Sequence, residues 1–149
     1  MKKLSFLLLL IAVPAHALDG SVQIGPVTSQ GVSERLAVSR QIRSWLNVSV
    51  GLLVTSGGPI LDVTPMIQTP GRLFSHAGIG LGYNGVHSPE QSQGVIFREV
   101  AGVGYKVTQN VTVTVDVVHY SNGGAYNPIF GTDRNQGYSG VLLGIGQKF

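Results

Sequence analysis

The chain has 149 residues, of which 43% are hydrophobic and 11% charged, with no cysteine and a formal charge of +3. That length holds one domain and hardly two. The missing cysteine excludes a disulfide framework and a thiolate metal site, and without a basic stripe to neutralise phosphates the charge does not point to nucleic acid.

Residues 1–17, MKKLSFLLLLIAVPAHA, open with Lys2 and Lys3, continue in an apolar run and close on Ala15-His16-Ala17. These are the three zones of a secretory signal peptide, in order. The run is too short for a membrane helix, which needs roughly twenty apolar residues. Removing it leaves 132 of the 149 residues, a single domain over 18–149, and lowers the charge by two to +1. Export without cysteine points to a bacterial envelope protein.

Beyond residue 17 helical periods are scarce, and turn residues recur at short intervals. SVQIGPVTS and ERLAVSRQIRSW read as the first two strands, the second interrupted by Arg40. WLNVSVGLLVTSGG alternates Leu46, Val48, Val50, Leu52 and Val54 with Asn47, Ser49, Gly51 and Thr55, which is strand periodicity. PILDVTPMIQT is the fourth. RLFSHAGIGLGY sets Leu73, Ala77, Ile79, Leu81 and Tyr83 against Gly78, Gly80 and Gly82. GVIFREVAGVGYKV sets Val95, Phe97, Ala101, Val103 and Tyr105 against Gly102, Gly104 and Lys106, with Glu99 breaking the apolar face. At Arg40 and Glu99 a bulge, a lumenal twist or a shifted register is expected. VTVTVDVVHYSN is the seventh strand and YSGVLLGIGQKF the eighth, ending in Phe149.

Eight strands, each apolar on one face and small or polar on the other, fit an eight-stranded antiparallel transmembrane β-barrel of the bacterial outer membrane. There the apolar faces meet lipid, and glycines and polar groups fill the lumen. A periplasmic β-sandwich would use the same alternation to build a core. The connections favour the barrel: Ser44-Trp45, QTPGR and TQN are short, whereas NGVHSPEQSQG and NGGAYNPIFGTDRNQG are long. With both termini periplasmic, Trp45, Phe74, Tyr105 and Phe149 fall near the inner rim, and Tyr83 and Phe97 near the outer one. Glu34, Arg35, Arg43, Asp62, Arg98 and Asp116 are expected as charge pairs in the lumen.

The seventh strand carries the chemistry. Val111, Val113, Val115 and Val117 form a continuous apolar face that then continues with His119 and Ser121. Residues two apart on a strand project from the same side, about 6.6 Å apart, close enough for a base to lean toward a hydroxyl nucleophile. Polar groups against lipid cost several kilocalories, so their place on the valine face calls for a reason. The bland one is that the strand ends there, in the headgroup zone.

His119-Tyr120-Ser121-Asn122-Gly123-Gly124, followed by Asn127-Pro128 and Gly131, resembles the signature of the lipid A 3-O-deacylases, the PagL family. Fainter echoes lie in ERLAVSRQIRSW, DVTPMIQ and HAGIGLGY. The resemblance implies an outer-membrane barrel with a cofactor-free serine-esterase site toward the outer leaflet, acting on lipid A of lipopolysaccharide. His119 would be the general base and Ser121 the nucleophile. Asn122 and the amides of Gly123 and Gly124 would form the oxyanion hole. The family's orienting acid is a glutamate, but here no glutamate follows Glu99, and Asp133, 14 residues after His119, is the one acid beyond Ser121. Asp133 is therefore the candidate third member, with a polar side chain such as Gln136 or Ser139 as its substitute. A structural or adhesive barrel keeping the His-x-Ser-Asn box as a remnant is the alternative, and a homodimer stays open.

Other motifs carry less. Gly78-Ile79-Gly80-Leu81-Gly82 lies in a strand with no helix after it to hold a phosphate. His76 and His87 stand apart from clustered acids and do not form a metal site. Asn47 and Asn110 open N-x-S/T triplets that matter only where glycosylation machinery exists.

Overall fold

The computed structural model describes residues 18–28, 30–85, 94–121 and 137–149. Their dyad alternation becomes eight strands: β1 (Leu18–Val27), β2 (Gly31–Arg43), β3 (Leu46–Thr55), β4 (Gly58–Gln68), β5 (Leu73–Asn84), β6 (Gly94–Lys106), β7 (Val111–Ser121) and β8 (Tyr138–Lys148). Every neighbour pair is antiparallel, and β8 pairs back onto β1, closing the barrel. Closure leaves no unpaired strand edge, the condition for a sheet to sit in hydrocarbon. The connections 44–45, 69–72 and 107–110 gather at the end that holds Leu18 and Phe149, and the 56–57 turn lies at the opposite end, where β5 and β7 finish and β6 and β8 begin.

The outward face is apolar over the whole circumference. Val22, Leu36, Leu52, Val63, Ile79, Val103, Val117 and Leu143, one from each strand, are all between 38% and 59% exposed except Ile79 at 65%. In water such a band would drive aggregation; against lipid it is the ordinary surface of a membrane barrel.

The inside has two halves. Near the end of the 56–57 turn, Leu53, Ile60, Ile96, Val118, Tyr120, Tyr138 and Leu142 pack into an apolar plug. Below it lies a polar layer in which Arg35 bonds to Asp62, Gln23 and Ser49, and Arg98 bonds to Tyr120. A Cβ on Gly51 would meet the Arg35 guanidinium at 2.2 Å, so this strand position must be glycine for the cation to lie flat on it. Beyond that layer a cavity of about 590 Å³, lined by Asp19, His76, Lys106 and Asp116 among others, opens toward the end that holds the termini.

Several expected faces need correction. Arg35, Asp62, Arg98 and Asp116 are buried inside as expected, and Arg43 lines the cavity. Glu34, though, is exposed, because the inward residues of β2 are the odd ones from Ser33 through Ala37. Arg40 stays in register on the outward face; the shift in β2 falls between Gln41 and Arg43 instead. Glu99 causes neither bulge nor slip, and pairs with Ile79 on one side and His119 on the other. Phe74 does not join the inner girdle. Its even position turns it into the cavity, 5.8 Å from His76, whereas Trp45, Tyr105 and Phe149 are exposed at that rim. His76 is not isolated, since its Nε2 lies 2.9 Å from Asp116 Oδ1.

Candidate active site

Along β7 the outward residues Val113, Val115 and Val117 are exposed, and His119 follows them half-buried. Ser121 keeps the same parity but is only 9% exposed, and faces Phe97 of β6 across the ladder. The strand therefore places the base and the hydroxyl on one side of the sheet, one dyad step apart.

Three strands meet at the level of His119. Its register partner on β6 is Glu99, and on β8 it is Ser139. Directly opposed residues of an antiparallel pair hold their Cβ atoms about 5 Å apart, so an acid, an imidazole and a hydroxyl stand in a row on the lipid-facing surface. The imidazole leans toward β8, where its Nδ1 lies 2.8 Å from Ser139 Oγ. Among the described residues, no hydrogen bond joins His119 to Ser121. Gly137 makes room for the ring: its φ is +68°, and a Cβ there would come within 2.9 Å of His119 Cε1 and 3.2 Å of Nε2.

A groove of about 680 Å³ starts at this row. Its floor follows one line of paired residues across the sheet, from Val117 to Ala101, Ala77, Ile67 and finally Leu46. Two consecutive alanines lower the surface there, while Ile79 and Val103 stand proud beside them. Because strands in a barrel tilt and stagger, that line descends from near one end of β7 to the opposite end of the barrel, where β3 begins. The surface suited to a long apolar ligand is thus the alanine row of β5 and β6, touching the valine face only at Val117. Glu99 and His119 are the ionisable side chains in the groove, and both sit at its head.

Of the residues expected to act, the structure brings His119 and Ser121 to one face. Asn122, Gly123, Gly124 and Asp133 lie outside the described residues, as do residues 1–17. Sequence reasoning missed the flanking position of Glu99 entirely and held Ser139 only in reserve. A sequence signal existed for Glu99, an acid at an outward position of an otherwise apolar strand. No local signal existed for the contact with Ser139, 20 residues along the chain from His119.

A closed eight-stranded barrel with an apolar exterior, and a base and a hydroxyl set into that exterior, defines an outer-membrane β-barrel with a candidate hydrolytic site on its surface. The family model of the lipid A 3-O-deacylases (PagL), a family of hydrolases, matches residues 23–141, and the chain belongs to that family. The crystal structure of the outer membrane enzyme PagL superposes with a TM-score of 0.72 at 23% identity, covering 88% of this chain and 99% of that one. A de novo designed transmembrane β-barrel follows at TM-score 0.63 and 18% identity, covering 92% and 98%. Neisserial surface protein A gives 0.62 and 14%, covering 89% and 96%. At these identities the likeness is one of fold. No curated protein matches the chain.

Proposed function

We propose that the protein is a serine esterase of the outer membrane that removes the ester-linked acyl chain from the 3-position of lipid A. The observation that carries this reading is the placing of His119, beside Ser121 on the outward face, at the head of a lipid-facing groove. Family membership supports the substrate class. In this reading residues 1–17 direct export and are removed.

The reaction follows from the side chains. Ser121 Oγ attacks the ester carbonyl while His119 takes the hydroxyl proton, and the charge that develops on the carbonyl oxygen calls for nearby donors. Asn122 and the amides of Gly123 and Gly124 are the candidates that the family pattern supplies. Collapse of the tetrahedral intermediate breaks the sugar C–O–acyl ester, and His119 returns the proton to the departing sugar hydroxyl. Water, deprotonated by His119, then releases the acyl group from Ser121 as a free fatty acid. The separation of His119 from Ser121 is ordinary, since catalytic hydrogen bonds tighten when substrate arrives. The decisive assay is mass spectrometry of lipid A with and without the protein, with loss of one hydroxyacyl chain as the expected change.

The groove gives this reading a steric consequence. Ala101→Phe places a ring on its floor, one step down from Val117. The variant should assemble normally, because position 101 faces lipid, yet turn over long-chain lipid A at least tenfold more slowly than a short-chain ester. Equal losses on both substrates would detach the groove from the acyl chain.

Orientation is a second consequence. A site acting on outer-leaflet lipid requires the end of β7 that carries His119 to face outward. Ser56, exposed in the β3–β4 turn at that same end, is expected to react as Ser56→Cys with an impermeant maleimide on intact cells. Asn110→Cys, exposed at the opposite end, should react only after the outer membrane is broken. The reverse pattern would put the site on the periplasmic side, away from its substrate.

A further inference from the structure

We propose that Ser139 is the positioning residue for His119, taking the place at Nδ1 that a carboxylate fills in most serine hydrolases. The inference rests on the esterase reading for its reaction, but on contacts of its own for the assignment. Ser139 Oγ lies 2.8 Å from His119 Nδ1. The two residues are direct partners in the β7–β8 ladder, so regular backbone pairing sets their separation. Ser139 is also held from the other side: its carbonyl accepts the Thr28 amide at 2.7 Å and the Thr28 hydroxyl as well, tying β8 to the turn after β1. Gly137, lacking a Cβ, leaves the space into which the ring swings to reach that hydroxyl.

The chemical effect is to hold the ring in place and to keep a partner at Nδ1 when the imidazole is charged. A neutral imidazole carries one proton, and a base directed at Ser121 needs its Nε2 free. A hydroxyl can donate or accept, so Ser139 does not fix the tautomer by itself; in the one where Nδ1–H donates to its oxygen, Nε2 is free to take the Ser121 proton. Once His119 holds the proton from Ser121, both ring nitrogens donate, and the same oxygen remains a partner for Nδ1–H. Glu99 faces His119 from β6, on the other side of the ring, and is the charged neighbour at this level. A hydroxyl stabilises the imidazolium less than a carboxylate does, since only the carboxylate sets an opposite charge beside it. Loss of Ser139 should therefore cost less than the roughly 10⁴-fold seen when a triad carboxylate is lost.

The test compares Ser139→Val with Ser139→Thr, two side chains of one shape that differ by the hydroxyl. The readout is the rate at which a fluorophosphonate labels Ser121 in the purified, folded barrel, measured beside release of acyl chain from lipid A. The expected result is a fall of roughly 10²-fold in both rates for Ser139→Val. Ser139→Thr should stay within about threefold of the parent, with both variants equally heat-modifiable on gels. Labelling of Ser139→Val at the parental rate overturns the proposal, and loss of labelling in Asp133→Asn alongside it would assign the orienting role to Asp133. A parental barrel that labels but leaves lipid A intact, with Ser139→Val labelling roughly 10²-fold more slowly, supports Ser139 and refutes the substrate assignment. A parental barrel that does not label at all refutes both.

Discussion

Ser121→Ala and His119→Asn are each expected to leave lipid A fully acylated, while both variants still form heat-modifiable barrels. In the proposed mechanism, removing the hydroxyl removes the group that forms the acyl-enzyme. An asparagine at position 119 can hold a hydrogen bond, but cannot take the proton that makes Ser121 a nucleophile. Where nucleophile and base act as a unit, either loss alone costs roughly 10⁶ in kcat, and the double variant costs no more. Stability should hardly change. His119 forfeits one hydrogen bond to Ser139, worth about 1 kcal/mol, and the shortening at Ser121 removes a single oxygen next to Phe97. Either variant cleaving lipid A near the parental rate removes these residues from the mechanism. A parental protein that never cleaves lipid A, in cells or purified, favours a structural barrel that has kept the motif without the reaction.

The barrel was legible because its physics is local. Each strand must alternate lipid-facing and lumenal residues, and that dyad period can be read within ten residues, as at Leu46 to Val54 or Val111 to Val117. The same period exposed His119, a base where a valine belonged. Phe74 and Glu34 show how easily the face is lost where the alternation is weak. Phe74 adjoins the outward Leu73 and so must point in, and Glu34 neighbours the inward Ser33 and Arg35. What sequence could not supply is register between strands. That Glu99, His119 and Ser139 share one level depends on how β6, β7 and β8 slide past one another, and no single strand encodes it. The groove was hidden for the same reason, since Ala77 and Ala101 become one floor only when paired. Gln23, read simply as part of a first strand, proves to bridge Arg35 and Asp116 across the lumen.

Asp62→Ala is expected to cost the barrel more than any other single substitution in the lumen. Its carboxylate is completely buried and receives Arg35 in the two-pronged geometry, with Nε 3.1 Å from Oδ2 and Nη2 2.7 Å from Oδ1. Thr64 donates to Oδ1 at 3.1 Å, and the Tyr120 hydroxyl, itself accepting from Arg98 Nε, donates to Oδ2 at 3.4 Å. Arg98 Nε stands 3.9 Å from Oδ1, so one carboxylate serves two guanidinium groups that are only 3% and 1% exposed. Without it both cations stay behind in the lumen, buried between the packed plug and the cavity that they line. Removing one partner from a buried pair costs about 3–5 kcal/mol, because the other charge is left uncompensated. With a urea dependence of about 2 kcal/mol per molar, the unfolding midpoint should fall by roughly 2 M. Asp62→Asn, which keeps the shape and one acceptor, should lose less. The double variant Arg35→Met/Asp62→Leu should recover part of the loss, since an apolar pair of similar volume often replaces a buried ion pair at little cost. Measured on refolded barrels by the shift of the folded band, an Asp62→Ala midpoint equal to the parent's would mean that the lumenal cations find their stabilisation elsewhere, with water reaching the polar layer through the cavity below it.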